Sequence, residues 1–330
     1  MPNRLRAWLQ LFRVPNLLTV PGDPLAGFLI ATGGHLDSRA WVAVVASLCL
    51  YAAGLAMNDL ADVKEDLRDR PARPLPSGAV GKGAAIIAVL ALIGVAFGVL
   101  RLGAGPLAFM AGVLLLATVT FYNFLAKRIP FVGAIAMGAC RGGSLLLGAA
   151  AGTPMMSEQL GGIATVNPLV AIALAPSVMS TASVLFTFAL AGAVIVALYI
   201  AAVTALARHE TNPSCPKYLR LLPLGVLLLG FLVLKQATGP LLLDQAPTLW
   251  LVAIVLCAMN TSQLMKVPPP PLAPRIGGFI RLLLVMQAAL CLVPTVPTRL
   301  RKTPESFTCA VVLLALVPVN ARLGRRFYAS

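Results

Sequence analysis

The stretch Asn58–Gly78, NDLADVKEDLRDRPARPLPSG, contains five of the eleven acidic residues in a chain of 330. Asn58, Asp62 and Asp66 are spaced four residues apart, so on a helix they lie along one face, and Asp59 precedes Asp62 by three. Oxygen ligands at this spacing suit Mg²⁺, which binds few carboxylates, keeps several waters and completes its shell with substrate phosphates. The stretch is therefore a candidate cation site.

The same stretch is rich in basic residues and proline, which supports a second interpretation. Pro71 cannot continue a helix, so the helix is expected to end near Arg70. Lys64, Arg68, Arg70 and Arg73 nearly neutralise the carboxylates. On charge alone, a solvated charged loop is an equal alternative to a cation site.

The composition is that of an integral membrane protein. Hydrophobic residues make up 59% of the chain, charged residues only 11%, and the mean hydropathy is +0.89, whereas about a quarter of the residues of a soluble protein are charged. Apolar stretches recur at about the ~20 residues that cross a bilayer as a helix. We expect an all-α polytopic membrane helical bundle of nine or ten transmembrane helices in a single domain, 1–330, with spans at Val14–Gly33, Arg39–Met57, Ala84–Gly103, Gly105–Leu125, Phe131–Gly152, Ala182–Leu206, Leu219–Thr238, Ala246–Leu264, Gly277–Val296 and a shorter Phe307–Ala321.

The first apolar stretch, Val14–Gly33, is interpreted as a retained span and not as a signal peptide. It contains Asn16 and Asp23 and lacks a small-residue cleavage site. The final hairpin is the least secure assignment, because Arg299, Arg301 and Lys302 lie on the side that should be poor in cations.

The net charge of +15 is explained by membrane topology. A nucleic-acid partner is not expected, because the basic residues are spread between apolar spans. If the N-terminus is cytoplasmic, most lysines and arginines fall in cytoplasmic segments, as the positive-inside rule requires. This topology places the loops 58–83 and 207–220 on the cytoplasmic side.

In that topology the acidic stretch continues directly from the cytoplasmic end of the second span. Carboxylates at the mouth of a helical bundle are costly and usually mark a substrate or ion path. A phosphorylated lipid would place its diphosphate on such a cation site and its tail among the apolar helices.

The acidic stretch resembles the first aspartate-rich motif of the UbiA superfamily of intramembrane prenyltransferases. The matching pattern is Asn58-Asp59-x-x-Asp62-x-x-x-Asp66, followed by RPARPLPSG at 70–78. The segments LFRVPNLLTVPGDPLAG at 11–27 and YNFLAKRIPFVGAIAMGACRGGSLLLG at 122–148 are also similar to their counterparts. The resemblance implies a bundle of about nine spans, an isoprenoid diphosphate held through Mg²⁺ by two acidic motifs, and transfer of the prenyl group to a lipophilic, aromatic acceptor.

The resemblance also implies roles for individual residues. Asn58, Asp59, Asp62 and Asp66 would hold Mg²⁺ and the diphosphate, with Asp59 and Asp62 acting in catalysis. Arg70 and Arg73 would clamp phosphate oxygens, or alternatively pair with Asp66 and Asp69. Asn123 and Lys127, four residues apart on one face, would line the same site. Lys127 could equally be an ordinary membrane anchor.

The second acidic motif of the family is degenerate in this chain. The corresponding segment is ARHETNPSCPKYLR at 207–220, in which Glu210 is present but Ser214 and Lys217 replace the expected aspartates. In one interpretation Arg208 and Lys217 neutralise the diphosphate in place of a second metal. In the other, prenyl transfer is lost and the fold binds something else. Glu210 is the one candidate general base.

Arg141 lies near the middle of the span Phe131–Gly152, where a charge costs at least ~2.5 kcal/mol. Such a residue normally faces the bundle interior and has a partner. It could form a structural pair with Asp23, or contact an anionic or carbonyl group of the acceptor as a catalytic residue. Gly138 and Gly142 form a G-x-x-x-G pattern that would let a neighbouring helix approach closely.

Two hypotheses follow from these features. The first is a Mg²⁺-dependent prenyltransferase of the UbiA type. The second follows from the intact first motif, the lost second motif and the ACRGGSLLLG segment, which together resemble the EboC-like subfamily. That resemblance implies a divergent or non-catalytic protein that binds or exports a secondary-metabolite precursor.

Overall fold

The computed structural model is all-helical in the parts of the chain it describes, which are residues 4–166, 168–209, 215–238, 245–266, 271–293 and 303–328. For residues 155–183, 236–238, 273 and 326–328 it describes the backbone only. The helices are α1 (Arg4–Leu11), α2 (Val14–Leu17), α3 (Gly22–Ala31), α4 (Ser38–Ala61), α5 (Val63–Asp69), α6 (Lys82–Gly103), α7 (Gly105–Phe124), α8 (Val132–Val166), α9 (Pro168–Ala207), α10 (Lys217–Thr238), α11 (Gln245–Leu264), α12 (Leu272–Cys291) and α13 (Pro304–Tyr328).

Nine of the described helices are long and apolar enough to cross a membrane. They are α4 and α6 to α13, counting only the membrane-length part of a longer helix. These helices correspond to the predicted spans after the first. The chain is therefore an integral, multi-pass membrane protein. All six cysteines are free.

The first predicted span differs from the expectation, because Val14–Gly33 is not one continuous helix. It is divided into α2 and α3. Pro21 and Pro24 lack the N–H groups that a continuous helix would use between these two helices. Every residue of α3 is buried, so this short helix lies inside the bundle.

The segment that contains α2 and α3 nevertheless extends alongside the full length of α4. At its start, Arg13 contacts Asp59 near the end of α4. At its far end, the Gly34 carbonyl accepts a hydrogen bond from Ser306 at the beginning of α13. Asn320, fourteen residues after Ser306 on α13, donates to the Pro15 carbonyl. α13 therefore runs along the bundle and returns to the end that carries the acidic motif.

The G-x-x-x-G pattern on α8 is used as predicted, since both glycines face the backbone of α9. A Cβ atom at Gly138 would lie 2.1 Å from the Ala197 carbonyl oxygen, and one at Gly142 would lie 2.6 Å from the Ala193 carbonyl oxygen. Any side chain at these positions would push the two helices apart.

We expect Gly138→Ala to destabilise the protein, because overpacking against backbone costs roughly 1–3 kcal/mol or more. Gly94→Ala on α6 is the matched control. Among the described residues, no atom lies within 4 Å of the Cβ position of Gly94 outside its own helical turn, and alanine is the better helix former. Thermal unfolding in detergent should show a lower midpoint for Gly138→Ala alone. Equal midpoints for the two variants would contradict the close packing of α8 on α9.

Candidate active site at the end of α4

The acidic motif lies where α4 passes into α5. Asp62 interrupts the helix with φ −94° and ψ 1°, but the spacing of four is kept. The Asp62 amide donates to the Asn58 carbonyl at 3.1 Å, and the Asp66 amide donates to the Asp62 carbonyl at 2.8 Å. α5 ends at Asp69, as predicted from the proline that follows Arg70.

Each of the three motif aspartates that face the protein forms an ion pair with a different basic side chain. The three cations come from separate parts of the chain, namely the turn between α1 and α2, the α7–α8 connection and the loop after α5. The pairs are Arg13 Nη2 with Asp59 Oδ1 at 3.0 Å, Lys127 Nζ with Asp62 Oδ1 at 2.5 Å, and Arg73 Nη1 with Asp66 Oδ2 at 2.6 Å.

Burial explains why these pairs form. Asp59 is 6% exposed and Asp66 is 5% exposed, and a buried carboxylate without a partner is strongly disfavoured. Asp62 is more open, with 21% of its side chain exposed. It is therefore the most accessible of the three paired carboxylates to a ligand arriving from outside the bundle.

Asn123 and Lys127 lie at this site, as the family resemblance implies. Besides Asp62, Lys127 Nζ contacts the Asn58 side-chain oxygen at 3.3 Å. The Asn123 amide nitrogen donates to the Gly54 carbonyl of α4 at 3.1 Å. The Asn123 side-chain oxygen is buried and has no hydrogen-bond partner among the described residues, so it is an available oxygen ligand beside the motif.

The other basic residues predicted for this site are not the ion-pair partners of Asp59, Asp62 and Asp66. Arg70 is exposed on the surface, and Asp69 is paired with Arg68 at 2.8 Å, a hydrogen bond that lowers the pKa of this exposed carboxyl. Arg208 donates to the Lys127 and Ile129 carbonyls, so it contacts the backbone of the segment that carries Lys127. Lys217 is exposed at the start of α10. Glu210 and Ser214 lie outside the described residues.

Arg141 occupies the buried pairing that was one of its two predicted roles. Its Nε lies 2.8 Å from Asp23 Oδ2, and its Nη2 donates to the Thr19 carbonyl at 2.6 Å. Gln287 donates to the same carbonyl at 2.8 Å and to Asp23 Oδ1 at 2.6 Å. Because Thr19 lies between α2 and α3, these bonds satisfy backbone exposed by the break in the first span.

Sequence reasoning missed Arg13 as a site residue. It has φ 45° and ψ 57°, a left-handed conformation that is uncommon for a residue other than glycine, and it joins α1 to α2. Its partner Asp59 is 46 residues away in the chain. Its position within the family-like segment 11–27 was the available signal.

The donor set of the motif fits Mg²⁺ in kind. Asp59, Asp62 and Asp66 supply carboxylate oxygens, and Asn58 and Asn123 supply amide oxygens. The carboxylates do not converge on one point: the described residues contain no group of three or more acidic, histidine or cysteine side chains placed to hold one ion. Mg²⁺ needs only one or two carboxylates when phosphates and waters complete its shell, so the residues fit that mode.

Comparison with known proteins agrees with the motif and the fold. The model of the UbiA prenyltransferase family matches residues 24–267. A digeranylgeranylglyceryl phosphate synthase of Ignicoccus hospitalis is 34% identical over 149 residues, which are 45% of this chain and 48% of the relative. The match thus spans about half the length of the curated relative.

Two solved structures share the fold. A UbiA homolog from Aeropyrum pernix K1 has a TM-score of 0.62 at 16% identity, with 83% of this chain and 96% of the other covered. A UbiA homolog from Archaeoglobus fulgidus bound to GPP and Mg²⁺ has a TM-score of 0.54 at 13% identity, with 88% of this chain and all of the other covered. With its family model matched over most of its length, this chain belongs to the UbiA prenyltransferase family.

Proposed function

We propose that the protein is a prenyltransferase that takes an isoprenoid diphosphate and transfers its prenyl group to a lipophilic acceptor. In this reaction the C1–O bond of the prenyl diphosphate breaks, the diphosphate leaves with the electron pair, and the acceptor bonds to C1 and loses a proton. The observation that carries the proposal is the set of three aspartates, each paired with a basic side chain, at one end of an apolar bundle.

Asp59, Asp62 and Asp66, with Asn58, would hold Mg²⁺, which neutralises charge on the leaving diphosphate when bound. The three aspartates form ion pairs with three protein cations. Arg13, Arg73 and Lys127 are therefore available to bind phosphate oxygens when the carboxylates take a metal ion. Arginine matches such oxygens with two parallel hydrogen bonds, and lysine contributes a point charge.

Such a change of ion-pair partners would explain how the protein functions with a degenerate second motif. The family resemblance would place a second acidic cluster after the sixth predicted span, where this chain has Glu210, Ser214 and Lys217. We propose that Arg13 and Lys127, which lie on the first motif, neutralise the diphosphate in place of the missing carboxylates and their metal. Arg208 would support this by holding the backbone of Lys127. We further propose that this end of the bundle faces the cytoplasm, as the positive-inside rule predicts.

The acceptor is proposed to enter among the apolar helices next to the motif. An aromatic acceptor follows from the family resemblance, and the name of the Ignicoccus relative makes a prenylated glyceryl phosphate a second acceptor to test. Arg141 would have to release part of its pairing with Asp23 in order to contact the acceptor. Glu210 stays the candidate general base.

The test is release of inorganic pyrophosphate by the purified protein. Geranyl, farnesyl and geranylgeranyl diphosphate are each supplied with Mg²⁺ and with an aromatic or a glyceryl phosphate acceptor. We expect pyrophosphate and a prenylated product with at least one pair, and loss of both when the metal is chelated by EDTA and not when EDTA is presaturated with Mg²⁺. If no diphosphate binds or raises the thermal midpoint, the proposal fails.

The pairing of every inward-facing motif aspartate also favours a second candidate, a non-catalytic protein of the EboC-like kind. A site whose carboxylates stay neutralised by protein cations would bind a lipophilic metabolite without transfer. For this candidate we expect no release of pyrophosphate with any acceptor, whether or not the isoprenoid diphosphate binds.

A further inference from the structure

Arg281 is a cation inside the membrane-spanning part of α12, on the side of this helix that faces α13. It lies within the apolar window Pro274–Cys291, seven residues after its first residue, or about 10 Å along the helix axis. Its side chain is half-buried. A cation at such a depth normally has a specific partner.

The space around the Arg281 guanidinium is open because two glycines border it. The Cβ position of Gly277, one turn earlier on α12, lies 3.5 Å from Arg281 Nη1, and that of Gly324 on α13 lies 3.9 Å from the same atom. Apart from the glycine's own helical turn, no other atom of the side chains that the structure describes lies within 4 Å of either position. We call this opening between α12 and α13, bordered by Gly277 and Gly324, the glycine notch.

The charges at the glycine notch are of one sign. Arg325, one residue after Gly324, is close enough for its charge to act on Arg281. In the described part of the chain, no carboxylate or carbonyl is bonded to the Arg281 guanidinium, and the paired carboxylates belong to the acidic motif, to Asp23 and to Asp37. Arg281 is half-buried and Arg325 is exposed, and two neighbouring arginines repel each other unless an anion lies between them.

The notch lies towards the end of the bundle that carries the acidic motif. Asn320 of α13 bonds to Pro15, next to Arg13 and the acidic motif, so Arg325 lies at that end of the bundle. The outer face of α13 is apolar, with Val311, Val312 and Val319 exposed. An acyl chain could follow this face while its headgroup remains at the notch.

We propose that the glycine notch binds the phosphate of an anionic phospholipid, with Arg281 and Arg325 as its ligands. Guanidinium groups bind phosphate oxygens through paired hydrogen bonds. Basic openings between membrane helices at a charged surface are suited to lipid headgroups. The site is separate from the acidic motif and does not depend on the proposed transfer reaction.

The test compares the full-length protein in nanodiscs of phosphatidylcholine alone and in nanodiscs that also contain phosphatidylglycerol. Retention of phosphatidylglycerol by the protein is measured by native mass spectrometry, and the thermal midpoint is measured in parallel. Arg281→Gln and Arg325→Gln are each expected to weaken retention about five-fold, the factor that corresponds to the roughly 1 kcal/mol of one basic residue at an anionic surface. Arg128→Gln, which removes an exposed arginine of the α7–α8 connection, is the matched control.

A second variant separates the site from general surface charge. Gly324→Leu keeps both arginines but fills the notch, so it should also reduce retention, and it guards against a folding defect in Arg281→Gln. Equal losses in Arg128→Gln and Arg281→Gln, or full retention in Gly324→Leu, would overturn the proposal. Inorganic phosphate that raises the midpoint in phosphatidylcholine nanodiscs as much as phosphatidylglycerol does would overturn the assignment to a lipid.

Discussion

Asp62→Asn is expected to lower pyrophosphate release by about 10²- to 10³-fold, the usual effect of removing one electrostatic group that stabilises a transition state. Asp62 is the most open of the three paired aspartates, and its carboxylate contacts Lys127 at 2.5 Å. Asparagine keeps the size of the side chain and removes its charge. The cation site is then weakened, and Lys127 loses its ion pair while staying close to Asn58.

Glu65→Gln is the matched control for this prediction. Glu65 lies in α5, three residues after Asp62, and its side chain is exposed. Loss of its charge should leave pyrophosphate release within about two-fold of the parent, since an exposed charge away from the ion pairs contributes little. The readout is the initial rate at saturating Mg²⁺, with the thermal midpoint as a check on folding. If Asp62→Asn retains the parent rate, the motif does not catalyse transfer, and the metabolite-binding candidate gains support.

The local features of the acidic motif could be predicted because they depend on neighbours in the sequence. The spacing of Asn58, Asp62 and Asp66 and the helix end before Pro71 follow from helix geometry and from the chemistry of proline. The placement of Lys127 beside the motif followed from the family resemblance, and its spacing from Asn123 predicted only that the two residues share a face. Hydropathy predicted the long helices for the same reason, since each helix in lipid must form its backbone hydrogen bonds within itself.

The tertiary ion pairs could not be predicted from local pattern. Arg13 lies 46 residues before Asp59, and no periodicity of the sequence connects the two. The break in the first span was signalled by Pro21 and Pro24, but average hydropathy over the stretch does not register where a helix stops. Arg70, which the motif resemblance placed on phosphate, points to solvent because the chain turns at Pro71.

Arg141→Met is expected to destabilise the protein by about 3–5 kcal/mol, since it leaves the buried Asp23 without its cation. Asp23 is fully buried and Arg141 is 4% exposed. The double variant Asp23→Asn/Arg141→Met removes both charges and should recover most of the loss, because a buried pair replaced as a whole is often close to neutral. Thermal midpoints of the parent, both single variants and the double variant give the coupling between the two sites. A single Arg141→Met variant as stable as the parent would show that the pair contributes nothing.

The double variant also separates the two roles that Arg141 can have. Gln287 would still donate to the Thr19 carbonyl, so the break between α2 and α3 keeps one of its two hydrogen bonds. If the double variant is stable and transfers a prenyl group at the parent rate, Arg141 acts only by holding the broken first span in place. If it is stable but its KM for the acceptor rises while its KM for the diphosphate does not, the guanidinium contacts the acceptor. The Asp62 prediction is independent of this result, because the acidic motif has its own cations.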